Sequence, residues 1–164
     1  MQFRSINFGE LTYAPGDVIR FPEGLPGFPT LKEFLLLDSP EFQPFQYLQA
    51  VGDPPIAFPL INPQLVCPEY RFALSDEDAR PLEAERPEDL MTFVIVTITQ
   101  PVAQATANLM APLVINSRRM VGRQIILHGS DYPVQFPLLR GQPQEQPQEQ
   151  PQEQPQEQPA ACEV

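Results

Sequence analysis

Of the 164 residues, 142–158 repeat a Gln-Pro-Gln-Glu unit, which leaves about 140 for one domain, enough to bury a core without metal or disulfide. Ten Lys and Arg stand against 21 Asp and Glu, a net charge of −11. With a single lysine, Lys32, and only Arg118, Arg119 and Arg123 close together, the chain lacks the clustered cations that neutralise phosphates, so the expected partners are proteins and not nucleic acid.

No stretch reaches the roughly 18–20 apolar residues of a membrane span, and 1–10 carry no basic-then-apolar leader, so no membrane contact is expected. Cys67 and Cys162 lie far apart and fit reduced thiols in a cytoplasm.

Seventeen of the 22 prolines precede residue 141 and leave no room for long helices. In chain order, β-forming runs occupy 2–8, 10–13, 17–21, 34–37, 45–51, 56–61, 70–74, 91–99, 113–116 and 123–127. Between them, Phe21-Pro22-Glu23-Gly24-Leu25-Pro26-Gly27-Phe28 reads as a rigid turn pinned by its two phenylalanines. Ser75 caps a short helix before Pro81, and Pro87-Glu88-Asp89 starts another. The run 92–99 is apolar on both alternating faces for most of its length, which predicts a central strand covered on both sides. The stretch 113–127 predicts a hairpin with a long polar connection, its arginines at the tip and Gly122 available for positive φ.

Without βαβ alternation the sheet should be antiparallel and closed or strongly curled, which limits exposed edges. The expected fold is all-β: a small antiparallel β-barrel-like single domain over 1–140, with one or two short helices and a disordered tail over 141–164. The tail carries a proline every fourth residue and reads as a solubilising appendage.

Catalytic chemistry is poorly provided for. The one histidine, His128, has Ser130 and Asp131 beside it, a spacing typical of a turn. Two cysteines and one histidine offer no zinc spacing, and Asp76-Glu77-Asp78 lacks the alternating oxygens and glycine of a calcium loop. The glycines of 21–28 are interleaved with prolines and an acid, unlike a phosphate-binding loop. A non-enzymatic binding protein with no cofactor is expected.

Five blocks then carry a resemblance. They are 21–28, Gln46-Tyr47-Leu48-Gln49 with Ile56-Ala57-Phe58-Pro59-Leu60-Ile61-Asn62-Pro63, Pro68-Glu69-Tyr70, Thr106-Ala107-Asn108-Leu109-Met110-Ala111-Pro112-Leu113-Val114-Ile115-Asn116, and Gly122-Arg123-Gln124-Ile125-Ile126-Leu127. In this order they resemble the bacterial flagellar assembly factor FliW family. The resemblance implies a cytoplasmic β-barrel-like protein with two protein partners: newly made flagellin and the RNA-binding translational regulator CsrA. It implies partner switching, in which secretion of flagellin frees the factor to bind CsrA and relieve repression of flagellin mRNA translation. An acidic body beside a basic regulator would also repel incoming phosphates.

Asn62-Pro63 and Ala111-Pro112 read as turn or strand-boundary signals, and Asn108 and Asn116 as amides bonded to local backbone. The expected partner-binding residues are Glu69, Tyr70 and Phe72 after Pro68, the acids Asp76, Glu77 and Asp78 toward CsrA, and Phe42 and Tyr70 toward an amphipathic flagellin helix. The alternatives are a β-barrel adaptor engaging other proteins through its proline-rich tail and a small hydrolase or isomerase using His128 with Asp131. The net charge opposes self-association, so a monomer is expected in the free state.

Overall fold

The computed structural model describes residues 1–139. The expected tail, 141–164, lies outside the described residues. Eleven strands follow one another: β1 (Gln2–Ser5), β2 (Gly9–Thr12), β3 (Val18–Arg20), β4 (Glu33–Leu37), β5 (Phe45–Ala50), β6 (Ala57–Ile61), β7 (Leu90–Thr97), β8 (Thr106–Ala107), β9 (Leu113–Asn116), β10 (Val121–Gln124) and β11 (Phe136–Pro137). Two single-turn helices, α1 (Pro63–Val66) and α2 (Asp76–Ala79), fall between β6 and β7.

Strands β3, β4, β5, β6, β7, β9 and β10 close into a ring, because β7 pairs with both β6 and β9. Every pairing is antiparallel except one: β10 meets β3 in parallel, through Val121 and Arg20 alone. Strand β7 is pinned at several points, with Leu90–Phe93 on β9, Val94 and Ile95 on β6, and Val96 and Thr97 on β8. Strands β1 and β2 form a separate hairpin. It docks through Ser5, whose Oγ donates to Oε1 of the fully buried Gln49 at 2.6 Å.

Period-two alternation fills the ring. Ile19, Phe21, Phe34, Leu48, Ala50, Leu60, Phe93, Leu113 and Ile115 form one buried cluster, with Leu36, Phe58, Met91 and Ile95 packed against it. The opposite faces are also covered. Val94, Val96, Ala107 and Leu109 pack with Tyr70, and Val114 and Ile125 pack with Leu82. The central strand expected over 92–99 is β7, which ends at Thr97; its middle, Phe93–Val96, is apolar on both faces because both are covered, while Ile98 beyond it is 47% exposed.

The 21–28 block closes the turn its residues predict. Leu25 and Phe28 bridge each other, with Pro26 first in the turn and Gly27 second at φ +85°. That is the arrangement in which glycine avoids the steric cost of positive φ. Phe28 packs on Phe58 and Phe21 on Phe34, ring centroids 5.3 and 5.1 Å apart.

Two expectations change. The run 70–74 forms no strand: its backbone is met by a side chain, the Tyr132 hydroxyl, which accepts from the Arg71 amide and donates to the Arg71 carbonyl at 3.1 and 3.0 Å. Gly122 does not take positive φ; Met120 does, at 51°. Gly122 sits inside β10 where the Phe21 ring presses on its α-carbon, so a Cβ would collide with ring atoms. Arg118 and Arg119 lie exposed at the hairpin loop, and Arg123 lies within β10, where a strand was expected from residue 123. The two expected helical turns do form, α2 with Ser75 Oγ accepting from the Asp78 amide at 3.1 Å, and Pro87–Asp89 as a 3₁₀ turn. Helix α1, not expected from the sequence, is capped by Asn62, whose Oδ1 accepts from the Gln64 amide at 3.0 Å.

Because Phe21 is fully buried and cannot swing away, Gly122→Ala should overpack the ring and destabilise the fold by about 1–3 kcal/mol. Urea unfolding should show a lower midpoint at unchanged slope.

Candidate partner-binding grooves

Two depressions on the barrel arise where a strand loses a neighbour. The first lies over the start of β7. Strand β6 reaches only Val94 and Ile95, because the chain turns away at Asn62-Pro63 into α1. The Ile125 amide donates to the Pro112 carbonyl, so in the same alternation 121 and 123 exchange bonds with 116 and 114, and Leu113 and Ile115 turn their backbone toward Phe93 and Met91. By the same alternation the Thr92 amide and carbonyl face the side that β6 vacates. The resulting cavity, about 650 Å³, is bordered by Tyr70, Phe72, Leu74, Leu90 and Asn62. Half-buried apolar side chains around a roomy depression suit an apolar anchor from another protein.

The wall of this groove is held by side-chain chemistry. Tyr70 is buried, and its hydroxyl donates to the Leu109 carbonyl at 2.7 Å. Leu109 lies in the 108–112 bulge that separates β8 from β9, and Asn108 Oδ1 closes that bulge by accepting the Met110 and Ala111 amides, each at 3.2 Å. Asn116 does the same for the hairpin loop. Its Oδ1 accepts from the Arg118 and Arg119 amides at 3.0 and 3.1 Å, and its Nδ2 donates to the Leu82 carbonyl at 2.9 Å. Both asparagines bond local backbone, as their positions beside a strand suggested.

The second depression lies beside β10. It is bordered by the 22–27 loop, by Glu77, Asp78 and Pro81, and by Gly122, Arg123, Gln124, Ile126 and His128. Arg123 is the hub of its rim, 3.4 Å from Glu23 and 3.6 Å from Asp78.

The expected binding residues are thus dispersed. Tyr70 and Phe72 share the first groove, their rings 5.9 Å apart, but Tyr70 serves the core and is no free anchor. Glu77 and Asp78 border the second, and Asp76 is exposed beside them on α2. Glu69 is exposed and lines neither. Phe42 belongs to a third place, an aromatic cluster with Phe8 and Tyr47 next to Leu36 and Leu37. Thr92, on the floor of the first groove, was missed; the only available signal was a small polar residue within an otherwise apolar strand. His128 and Asp131 are exposed and the two share no hydrogen bond, and among the described residues no three His, Cys, Asp or Glu gather to hold a metal.

Comparison with known proteins matches residues 2–138 to the family model of the FliW protein. The chain belongs to the FliW family. It is 41% identical over 140 residues to a flagellar assembly factor FliW of Thermoanaerobacter pseudethanolicus, an alignment covering 85% of this chain and 93% of that one. It is 40% identical over 138 residues to a FliW of Desulfitobacterium hafniense strain Y51, covering 84% and 91%. A crystal structure of a flagellar assembly factor FliW superposes with a TM-score of 0.81 at 34% identity, covering 86% of this chain and 99% of that one. The Ala107-Asn108-Leu109-Met110-Ala111-Pro112 block of this chain forms the bulge that Asn108 and Tyr70 hold.

Burial, then the neighbouring Tyr132 and Cys67, push the Tyr70 phenol well above its ordinary value. The folded state therefore favours the neutral phenol. Its stabilising effect is complete below the unfolded phenol's pKa of about 10 and is lost as pH rises above it. Tyr70→Phe should leave the Leu109 carbonyl unpaired, cost about 1–3 kcal/mol at neutral pH, and flatten the loss of stability above about pH 10. Denaturant titrations of both proteins across that range measure the difference.

Proposed function

We propose that this FliW-family protein is a cytoplasmic, non-enzymatic flagellar assembly factor that binds flagellin and antagonises the translational regulator CsrA, relieving repression of flagellin mRNA translation. The observation that carries the reading is family membership over the whole described barrel together with two open grooves of different chemistry. The Thr92 groove, walled by Phe72, Leu74 and Leu90, suits the apolar face of an amphipathic flagellin helix. The rim carrying Glu77 and Asp78, with Asp76 beside it, suits a basic regulator. Among the described residues no helix is long and apolar enough to cross a membrane.

Size exclusion of the full chain with flagellin, with CsrA and with both should give two binary complexes, flagellin displacing CsrA. Absence of both complexes overturns the proposal. Thr92→Arg fills the first groove with a long cation without removing a core side chain, and should abolish co-elution with flagellin while CsrA still binds. Unchanged flagellin binding places that partner elsewhere.

Asp78 is left intact in the companion variant, because its carboxylate takes the Ser75 hydroxyl and pairs with Arg123. Asp76→Lys combined with Glu77→Lys should weaken CsrA binding by roughly tenfold at low ionic strength, with a shallower salt dependence. Identical affinity and salt slope remove these acids from the interface.

A further inference from the structure

The gap beside β10 has the features of an unfilled strand position. Strand β3 touches β10 only at Arg20 and Val121, after which Phe21-Pro22 turns the chain into its loop. Strand β9 takes the amides of Arg123 and Ile125, so alternation directs the Gln124 amide and carbonyl and the Ile126 amide into the gap. Among the described residues these three groups have no backbone partner. The space is a cavity of about 510 Å³. Its far wall is rich in proline, with Pro22, Pro26 and Pro29 in the loop, and Ile126 on the near side keeps 47% exposure.

The charge at the rim selects what can enter. Glu23, Glu77 and Asp78 face the gap with Arg123 and His128. The guanidinium is already shared between Glu23 and Asp78, and the Glu77 carboxylate has no ion-pair partner among the described residues. Lys32 donates to the Pro22 carbonyl and does not line the gap. A free strand edge supplies hydrogen bonds to any extended backbone, while the side chains on its rim set which sequence is held.

We propose that the β10 edge from Gln124 to Ile126 accepts an extended, lysine- or arginine-bearing segment of a partner protein as an added strand. The inference rests on the acidic face proposed above for a basic partner, and it specifies how that face is used: backbone pairing on Gln124 and Ile126, with cations reaching Glu77 and Glu23. The negative tail repeat of this chain is a poor occupant, since it carries acids and a proline at every fourth position.

The probe is an acetylated, amidated heptapeptide alternating valine with lysine, titrated into the isotopically labelled full chain and followed by amide NMR. Shifts should centre on 122–128 and the 22–29 loop, and hydrogen exchange of the Gln124 and Ile126 amides should slow. Methylating the peptide nitrogens of one alternating set should abolish binding, while methylating the other set should leave it largely intact. Glu77→Lys should weaken binding by roughly three- to tenfold. Replacing the peptide's lysines with glutamate should abolish it.

No shifts at millimolar peptide, shifts centred elsewhere, or equal loss from both methylation patterns each overturn the added strand. Concentration-dependent shifts of the same amides without peptide assign the edge to a second copy of this chain and overturn it as well. Parallel binding of CsrA separates the two readings. Peptide capture without CsrA capture sustains the strand site and removes CsrA from the proposed function, whereas CsrA capture without peptide capture does the opposite.

Discussion

A ring of short strands punctuated by proline cannot pair all its edges, and that constraint shapes the whole molecule. Proline donates no N–H to a ladder and is confined to strand ends and to positions whose N–H needs no partner, so a ladder is cut short where proline would have to donate. Strand β6 stops at Asn62-Pro63 and β3 at Phe21-Pro22, in each case before its partner does. Strands β7 and β10 therefore continue alone on one side. Both grooves are consequences of this mismatch in length, and both present backbone groups as well as side chains.

Elsewhere the same shortage of ladder is met from within the chain. Tyr132 supplies a donor and an acceptor to Arg71, Asn108 closes the bulge between β8 and β9, and Asn116 ties the hairpin loop to the Leu82 carbonyl. Each is a side chain standing in for backbone that a longer strand would have offered, and each is backed by burial of apolar neighbours such as Leu109 and Val114. Where such a substitute exists the surface is closed. Where none does, as at Thr92 and Gln124, backbone groups stay open at the surface.

Much of this was legible in the sequence because it rests on local chemistry. Apolar residues on both faces of 93–96 reported burial from two sides, Pro26-Gly27 reported the turn, and Ser75 ahead of three acids reported a capped helical turn. The failures share one cause. A strand over 70–74 was the local preference, but strands need a neighbour, and the nearest groups are the Tyr132 hydroxyl and the Leu109 carbonyl, 62 and 39 residues away from Tyr70 in the sequence. Gly122 was read for conformational freedom when its role is to admit the Phe21 ring. Tyr70 was read as an anchor for a partner because an aromatic beside a charge looks alike whether it faces solvent or the bulge. The two grooves were illegible for the same reason: each is defined by which ladder ends first, and register is a property of pairs of strands.

The two grooves are not independent surfaces. Phe72 and Leu74 wall the first; within a few residues the same chain carries Glu77, Asp78 and Pro81 along the second. Between them this segment is fixed to the outside of the barrel by Leu82, packed with Val114 and Ile125 beneath it. A ligand that displaces Phe72 thus works against the packing that also positions Asp78 opposite Arg123. Any such coupling is reciprocal: if occupying the apolar groove weakens binding at the acidic one, the acidic ligand weakens the apolar one by the same factor. Partners that exclude one another therefore need not compete for the same contacts, since one short covering segment, held by a few apolar side chains, borders both sites.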